Sequence, residues 1–565
     1  MESEKKETLT VKYLGVDPVK LMNEMPVKRN PTYMRKGFMY WTGAMITIAF
    51  MYQIVTGLML LMYYDPSHPY TSTQTMLTTV PYAVLIDSTH LYGAFAMVVL
   101  VYVHLFRNYF AGAYKRPRQL QWILGVVLLG LTIGVCFFGY SMPGDILGAD
   151  ASSIGANMAA QTPYIGGMIS TILFGNNSST ASLYQRLLGW HIVLALLVGV
   201  LFAIHFFLAE SHNIMPSAKE SKHRAPAIIE EDDTMKQWYP YNFVFMLQLT
   251  LFVVGFILLI PSIIGLLQGV PSLFSPLPGP SRNSPLAGNA IAYPDYPPWF
   301  LLFVYKAVDF LPGFIQVSAP GFSMALYGPL VATAIFGGIP LVFLLVLPFI
   351  DRNDDLHPLK RPVITGLGIY LLLYLVVLSV WGALTPGVPI SLPAVGAVLG
   401  IPFVIIILGM YLIGRLYKSG KLDITYDKIM TSFYLFLIML MMGIYFLAIN
   451  FHQFLSDSTG GNLIDTFVAG LTTSFAAVGV AKAGSTGSAM KSVAASKPVS
   501  YKMSPNSATV LSTILLLISV AIMVLIFNLS PTVVSEEFLF GAGLGIVFIL
   551  SGFITRLYRL VNYDE

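Results

Sequence analysis

Long apolar runs separated by short polar segments make up most of this chain. Windows of about 19 residues identify about twelve runs that can cross a hydrocarbon core of about 30 Å, which takes about 20 helical residues. The runs lie at 38–63, 82–106, 122–141, 187–209, 243–268, 325–350, 363–384, 391–416, 429–450, 464–481, 508–529 and 536–556. Lipid offers no hydrogen-bond partner to an exposed backbone, so such runs form helices. The pattern therefore predicts an all-α polytopic membrane protein.

Composition and charge support this prediction. Of the 565 residues, 56% are hydrophobic and 11% are charged, whereas soluble domains carry about 25% charged residues. Lys and Arg concentrate in alternate loops, which the positive-inside rule assigns to the cytoplasm. Both termini are then cytoplasmic, and the long loops 143–183 and 268–323 lie outside. The single cysteine, Cys136, excludes an intramolecular disulfide, and nothing indicates a nucleic-acid partner.

Four of the nine histidines lie inside apolar runs, in two pairs with equal spacing. His90 and His104 are 14 positions apart, and so are His191 and His205. In a helix, 14 positions make almost four turns and about 21 Å, which puts both imidazoles on nearly one face. Ionisable residues in a bilayer usually face the helix bundle. If the two helices face each other, His90 meets His191 and His104 meets His205.

Two facing imidazoles suit a haem, because the macrocycle supplies the four remaining ligands of the iron. Glycines support this prediction, since Gly43 and Gly57 are also 14 positions apart, and so are Gly125 and Gly139. A flat ring needs backbones to approach closely, which glycine permits. The alternative is a haem-free proton-coupled transporter with a histidine relay. The repeated interval favours two haems, b-type or a-type.

The residues resemble cytochrome b, the membrane core of bc1 and b6f quinol-oxidising complexes, from about residue 35 to residue 382. The likeness rests on "QIVTGLMLLMYYDP", "HLYGAF" to "HLFR", "GYSMPG", "PYIGG" and "YQRLLGWH". It implies that Arg107, three positions after His104, lies near a haem propionate. The implied divisions are a cytoplasmic segment (1–37), a dihaem four-helix bundle (38–225), a C-terminal cytochrome b part (226–420) and additional membrane helices (421–565).

The resemblance also implies a quinol-oxidising pocket near the outer haem. Electrons would pass from the quinol to a Rieske iron-sulfur protein and to the outer haem, which makes the chain an electron-transfer subunit of a quinol oxidoreductase. The expected quinone-site residues are Tyr140, Pro143, Trp299, Phe300 and Tyr305. Pro298 stands where the family has a proton-accepting Glu. Tyr305 and Asp295 are the candidates for this catalytic role, and Asp309 is also near in sequence.

Other positions depart from the family pattern. Gly144 replaces a tryptophan after Pro143, and Ala209 replaces an inner-side histidine, for which His212 is the candidate substitute. Phe245 and Met246 replace a Lys-Asp pair of the inner quinone site. Because the haem ligands are kept while quinone-site residues are lost, a haem-retaining scaffold without a full Q cycle is a second alternative.

The length of the chain and these departures resemble the long archaeal cytochrome b homologues of Sulfolobus-type quinol oxidase supercomplexes. That likeness implies a plasma-membrane location. It also implies three partners: a Rieske protein, a haem-copper terminal oxidase and a membrane quinone.

Overall fold

The computed structural model describes residues 29–35, 39–176, 179–212, 215–216, 224–228, 235–268, 298–384, 387–422 and 503–563. Ten helices in this part are long and apolar enough to cross a membrane. Each coincides with a predicted run, so the prediction of an all-α polytopic membrane protein is confirmed. The runs predicted at 429–450 and 464–481 lie outside the described residues.

The described helices and strands are numbered here in chain order. The helices are α1 (Thr42–Leu61), α2 (Pro69–Thr79), α3 (Ala83–Ala111), α4 (Gln119–Ser141), α5 (Ile146–Ala160), α6 (Gly166–Leu173), α7 (Leu183–His212), α8 (Phe243–Gln268), α9 (Leu302–Val308), α10 (Gly328–Ile350), α11 (Pro362–Leu384), α12 (Leu392–Lys418), α13 (Pro505–Phe527) and α14 (Val534–Asn562). The strands are β1 (Phe314–Ala319) and β2 (Phe322–Tyr327).

Short elements fill the long connections, where the sequence predicted only loops. Helices α5 and α6 lie in the first long loop, and α9 lies in the second. Strands β1 and β2 pair antiparallel, from Phe314 opposite Tyr327 to Ala319 opposite Phe322. Gly321 makes the turn at φ +78°, a conformation that glycine adopts without steric cost. The hairpin is largely exposed, so it carries little of the alternating hydrophobicity that reveals a strand.

The four helices that carry the histidines and matching glycines form two packed pairs. Helix α1 packs along α3, and α4 packs along α7. Helix α8 lies against both α1 and α3. Helix α7 packs mainly against α4 and buries only Leu187 and Val198. Helix α7 is therefore only partly covered by the described protein, and twelve of its thirty residues are exposed.

Side-chain hydrogen bonds join both ends of helix α14 to the helix bundle. Glu537 Oε2 accepts the N–H of Leu85, 3.0 Å away, at the start of α3, where the helix dipole favours an anion. At the other end, Arg559 Nη1 donates to Gln248 Oε1 of α8 at 2.7 Å. The Arg559 guanidinium also lies 4.4 Å from the ring centre of Phe245. Helix α14 and the bundle therefore form one helical assembly.

A buried ionic network joins the chain after α3 to the chain after α10. Lys115 Nζ lies 2.9 Å from Asp351 Oδ1, and these side chains are 4% and 1% exposed. The Tyr114 hydroxyl donates to Asp351 Oδ2 at 2.5 Å and accepts from Arg361 Nη1. Burial lowers the pKa of Lys115, although the Asp351 carboxylate opposes this shift. Asp351 is the carboxylate shared by the ammonium and the phenol, and Lys115 Nζ also donates to the carbonyl and side-chain oxygens of Asn353.

Replacing Asp351 with alanine should cost about 3–5 kcal/mol of stability, because the buried Lys115 ammonium keeps the neutral oxygens of Asn353 but loses its carboxylate counter-charge. The matched control is Asp354→Ala, since Asp354 pairs with Arg116 at 2.7 Å while the two side chains are 35% and 62% exposed. An exposed pair contributes about 0–1 kcal/mol. Thermal unfolding of both purified variants measures the difference. Equal losses of stability in the two variants would show that burial does not make the Asp351 pair more important than the exposed Asp354 pair.

Candidate cofactor site

The structure brings the four membrane histidines together in two pairs. His90 of α3 and His191 of α7 lie close enough for their charges to interact. His104 and His205 do the same, four turns further along the two helices. The first pair is called the His90 site and the second the His104 site. Each site joins one helix of the α1–α3 pair to one helix of the α4–α7 pair.

Each of the four imidazoles lies against the backbone of a glycine on the adjacent helix. The distances from an ideal Cβ built on the glycine to the imidazole Cε1 are 3.2 Å for Gly57 and His90, 3.4 Å for Gly43 and His104, 3.2 Å for Gly125 and His205, and 2.8 Å for Gly139 and His191. Three of these distances are shorter than an ordinary contact of a Cβ atom. Because glycine has no side chain, these four positions leave space for the imidazole rings.

On the α1 side, a threonine directly before each glycine contacts the Nδ1 atom of the imidazole. Thr56 Oγ1 lies 2.8 Å from His90 Nδ1, and Thr42 Oγ1 lies 2.8 Å from His104 Nδ1. The Thr56 hydroxyl donates its own hydrogen to the carbonyl of Tyr52 at 2.8 Å, so its oxygen accepts from the imidazole. His90 is thus protonated at Nδ1 and keeps the Nε2 lone pair for a metal.

On the α4 side, backbone carbonyls stand in the corresponding position. His191 Nδ1 donates to the carbonyl of Val135 at 2.9 Å, four residues before Gly139. His205 differs, since its Nδ1 meets no acceptor within hydrogen-bond distance, although the carbonyl of Gln121 lies nearby. A bond from Nδ1 to a carbonyl fixes the ring orientation and leaves Nε2 as the ligand.

Two polar side chains lie one turn after His104. Asn108 Nδ2 donates to His104 Nε2 at 3.0 Å, and Asn108 Oδ1 accepts from Arg107 Nη1 at 2.7 Å. The Arg107 guanidinium lies 5.2 Å from the ring centre of Tyr40. Arg107 is therefore next to the His104 site. A metal bound at His104 Nε2 would take the place of the Asn108 amide.

The donor set of both sites fits a haem. Each site offers two neutral imidazoles, flanked by glycine backbones, and imidazole is a common axial ligand of haem iron. Among the described residues, no group of three or more His, Cys, Asp and Glu side chains is placed to hold a metal ion. A metal in either site would therefore need most of its ligands from another molecule, which a tetrapyrrole provides.

Thr42, Thr56 and Asn108 were not found by the analysis of the sequence. A signal for the two threonines was present, because Thr-Gly occurs at 42–43 and again at 56–57, with the same interval of 14 as the histidines. No comparable signal marks Asn108.

Trp299 and Phe300, two of the expected quinone-site residues, pack beside the His90 site. Trp299 contacts a cluster that includes Tyr140, which directly follows Gly139. Phe300 is buried with Tyr92 and other residues of α3. Pro143 lies in the turn that follows α4.

The structure also describes three of the other candidate residues: Tyr305, Asp309 and His212. The Tyr305 hydroxyl faces Gly387, and Asp295 lies outside the described residues. Asp309 Oδ2 accepts from Lys306 Nζ at 2.9 Å; burial raises the pKa of Asp309, although Lys306 opposes this shift. His212 ends α7, and Arg118 Nη2 donates to its carbonyl.

The structure gives physical reasons for two departures from the cytochrome b pattern. Gly144 has φ +68°, and a Cβ there would lie 2.9 Å from Pro69 Cγ. The start of α2 therefore occupies the space in which a tryptophan side chain would begin. At Phe245, the Arg559 guanidinium covers the phenyl ring, a cation–π contact that a lysine there would replace with repulsion between two cations.

Comparisons with known proteins point to one family. A family model described as "Cytochrome b(N-terminal)/b6/petB" matches residues 95–279. Cytochrome b of Sulfolobus acidocaldarius is 42% identical over 404 residues, which are 69% of this chain and 69% of that protein. The chain belongs to the cytochrome b family. The resemblance stated from the sequence is thus confirmed, including the likeness to the Sulfolobus proteins.

Other cytochrome b relatives align with a shorter part of the chain. Cytochrome b6 of Heliobacterium mobile is 34% identical over 30% of this chain and 80% of its own length. The "Menaquinol:cytochrome c reductase cytochrome b subunit" of Bacillus subtilis is 31% identical over 34% of this chain and 88% of its own length. A chain of a solved structure entitled "Hyperthermophilic respiratory Complex III" has the same fold, with a TM-score of 0.51 and 20% identity over 71% of this chain and 96% of that one.

Proposed function

We propose that this cytochrome b is the dihaem electron-transfer subunit of a respiratory quinol-oxidising complex. The observation that carries the proposal is that the histidines form two facing pairs, each ring seated on a glycine. The His90 site is the outer haem site, and the His104 site is the inner one. The haem ligands are His90 with His191 and His104 with His205.

The residues of the chain hold and insulate the two cofactors. A haem supplies reversible one-electron transfer when it is bound. His90 and His191 contribute Nε2 as ligands, while Thr56 and the Val135 carbonyl hold the opposite ring nitrogens. At the other site, Arg107 would pair with a haem propionate. The apolar surroundings exclude water, so burial would act together with axial ligation and the hydrogen bonds of the ligands to set the reduction potential.

The proposed partners follow from the cytochrome b family, and the proposed topology follows from the distribution of Lys and Arg along the chain. Quinol binds outside, where Tyr140, Pro143, Trp299 and Phe300 surround its ring. A Rieske protein takes one electron, and a haem-copper oxidase completes the supercomplex. The Bacillus subtilis relative, by its name, belongs to a menaquinol:cytochrome c reductase. Both termini lie in the cytoplasm, and the complex lies in the plasma membrane.

Reduction of the haems by decylubiquinol tests this function. On addition of decylubiquinol, the purified membrane complex should show sharp haem α bands. Their wavelengths should match α bands in the spectrum of the dithionite-reduced complex. Haems that respond to dithionite alone would support the haem-retaining scaffold instead. Absence of haem would contradict the proposal and leave the proton-coupled transporter.

Replacing Thr56 with valine should raise the midpoint potential of one haem by roughly 20–65 mV, the equivalent of one hydrogen bond. The imidazole then loses the acceptor of its Nδ1 proton and becomes a weaker donor to ferric iron. A redox titration of the α bands measures the shift. Thr47→Val is the matched control, because Thr47 donates only to the carbonyl of Gly43 on the same helix. Equal shifts in the two variants would contradict the role of Thr56.

A further inference from the structure

Trp299 occupies a central place beside the His90 site. Its ring lies edge-on to Phe95 of α3, with ring centres 5.7 Å apart. It also meets Phe300 at 5.9 Å, again edge-on. It also packs against the cluster of Tyr140, Leu147, Ala151 and Leu302. Trp299 therefore lies between α3, the end of α4 and α5, the elements that surround the proposed quinol pocket.

The indole N–H of Trp299 is buried and has no hydrogen-bond partner. Three other tryptophans of the chain each donate to a backbone carbonyl: Trp41 to Met34 at 2.8 Å, Trp122 to Leu344 at 2.6 Å and Trp190 to Ile172 at 3.1 Å. A buried donor without an acceptor is costly and calls for an explanation. An acceptor that arrives with a ligand is one such explanation.

The chemistry of the neighbouring groups narrows the class of ligand. Pro298 has neither a side-chain acceptor nor an N–H, so no carboxylate stands beside the indole at the family's Glu position. Asp309, ten residues further along, is held by Lys306 at 2.9 Å. The surroundings of Trp299 are aromatic and aliphatic. Such walls accept a planar apolar ring, and the indole adds one directional donor for an oxygen on that ring.

We infer that the Trp299 indole N–H donates a hydrogen bond to a ring oxygen of the quinone or quinol bound beside the His90 site. This inference rests on the proposed function, because it assumes that a quinone occupies this pocket. Indole nitrogen donates and does not accept. Trp299 therefore orients the ring and stabilises the oxidised carbonyl, while the quinol proton goes to a different group.

The kinetic test compares Trp299→Phe with Trp122→Phe in the purified membrane complex. Both changes remove an indole N–H, but the one in Trp122 is already bonded within the protein. With decylubiquinol as electron donor and haem reduction as the readout, Trp299→Phe should raise KM by about 3- to 10-fold, the equivalent of one hydrogen bond. Trp122→Phe should leave KM unchanged. An unchanged KM in Trp299→Phe, or equal increases in both variants, would overturn the inference.

The same assay separates this inference from the proposed function. If the unmodified complex gives no haem reduction with decylubiquinol, the proposed function fails. If it gives haem reduction that Trp299→Phe does not alter, the function stands and only the role of Trp299 is lost. Haem content after dithionite reduction shows whether each variant is folded.

An infrared measurement on the unmodified complex tests the contact when Trp299→Phe does not fold. Tryptophan labelled with ¹⁵N at the indole identifies the N–H stretching bands. One band should have the high frequency of a free indole, and decylubiquinone should move it to lower frequency. A free band that does not respond to decylubiquinone, or the absence of a free band before its addition, would overturn the inference.

Discussion

Replacing His104 with alanine should abolish one of two haem signals and leave the other largely intact. The iron at the His104 site would keep only His205 as a protein ligand, and methyl cannot replace imidazole. The His90 site lies four helical turns away, about 21 Å, with its own glycines and its own Nδ1 acceptors. We therefore expect half of the bis-imidazole haem absorbance to disappear. Dithionite-reduced difference spectra of the purified variants measure this loss.

His68→Ala is the matched control for this prediction. His68 lies between α1 and α2, its side chain is 75% exposed, and it pairs only with Asp65 at 3.0 Å. Its removal should leave both haem signals unchanged. Full haem content in His104→Ala would defeat the ligand assignment. Loss of both signals in a variant that is otherwise folded would show that the two sites are not independent.

Gly139→Ala should strongly reduce occupancy of the His90 site, although it adds a single methyl group. The new Cβ would lie 2.8 Å from His191 Cε1, a distance that real Cβ atoms essentially never show. The nearby atom belongs to a short aromatic side chain whose Nδ1 is bonded to the Val135 carbonyl. The ring can therefore yield only by breaking that bond and turning away from its partner His90. Haem content and the α-band spectrum of the purified variant measure the loss.

Two other glycines serve as controls for Gly139→Ala. A Cβ at Gly134, on the same helix, would make only an ordinary contact with Leu194 at 3.5 Å. A Cβ at Gly189, two residues before His191, would have no neighbour within 4 Å. Both alanine variants should retain two haems, since alanine also favours the helix by about 1 kcal/mol over glycine. Normal haem content in Gly139→Ala would contradict the proposed role of this glycine.

Much of the fold was predictable, because a membrane imposes strong constraints on sequence. Each of the ten described spans coincides with an apolar run, with ends that differ by a few residues. The equal interval of 14 residues identified the four histidines and the glycines opposite them. Periodicity was sufficient to find these residues, because positions 14 apart lie on nearly the same face of a straight helix. The pairing of the two faces followed from the shared direction of α3 and α7.

Apart from the histidine pairs, contacts between residues far apart in sequence were not predictable. The bond from Leu85 to Glu537 joins positions 452 apart, and that from Arg559 to Gln248 joins positions 311 apart. No periodicity along a single helix carries such information. The sequence predicted the C-terminal membrane helices. It did not predict the side-chain contacts of α14 with α3 and α8. The division of the chain at residue 421 stays a prediction.

The polar atoms that hold the imidazoles were also missed, for a different reason. Threonine in a membrane helix usually bonds to a carbonyl of its own helix, as Thr56 does with Tyr52. The same oxygen accepts from His90 on another helix, and sequence alone does not reveal this second bond. The indole N–H of Trp299 was missed for a similar reason, because only the three-dimensional structure shows that this donor has no acceptor.

The number of haems per chain shows whether both histidine pairs hold a tetrapyrrole. Pyridine haemochrome analysis of the purified full-length chain, combined with amino-acid quantification, gives the haem type and the ratio in one measurement. Two opposed imidazole pairs predict two haems per chain, both low-spin. A ratio of one or less in intact protein would show that at least one histidine pair holds no tetrapyrrole, and the dihaem assignment would be wrong.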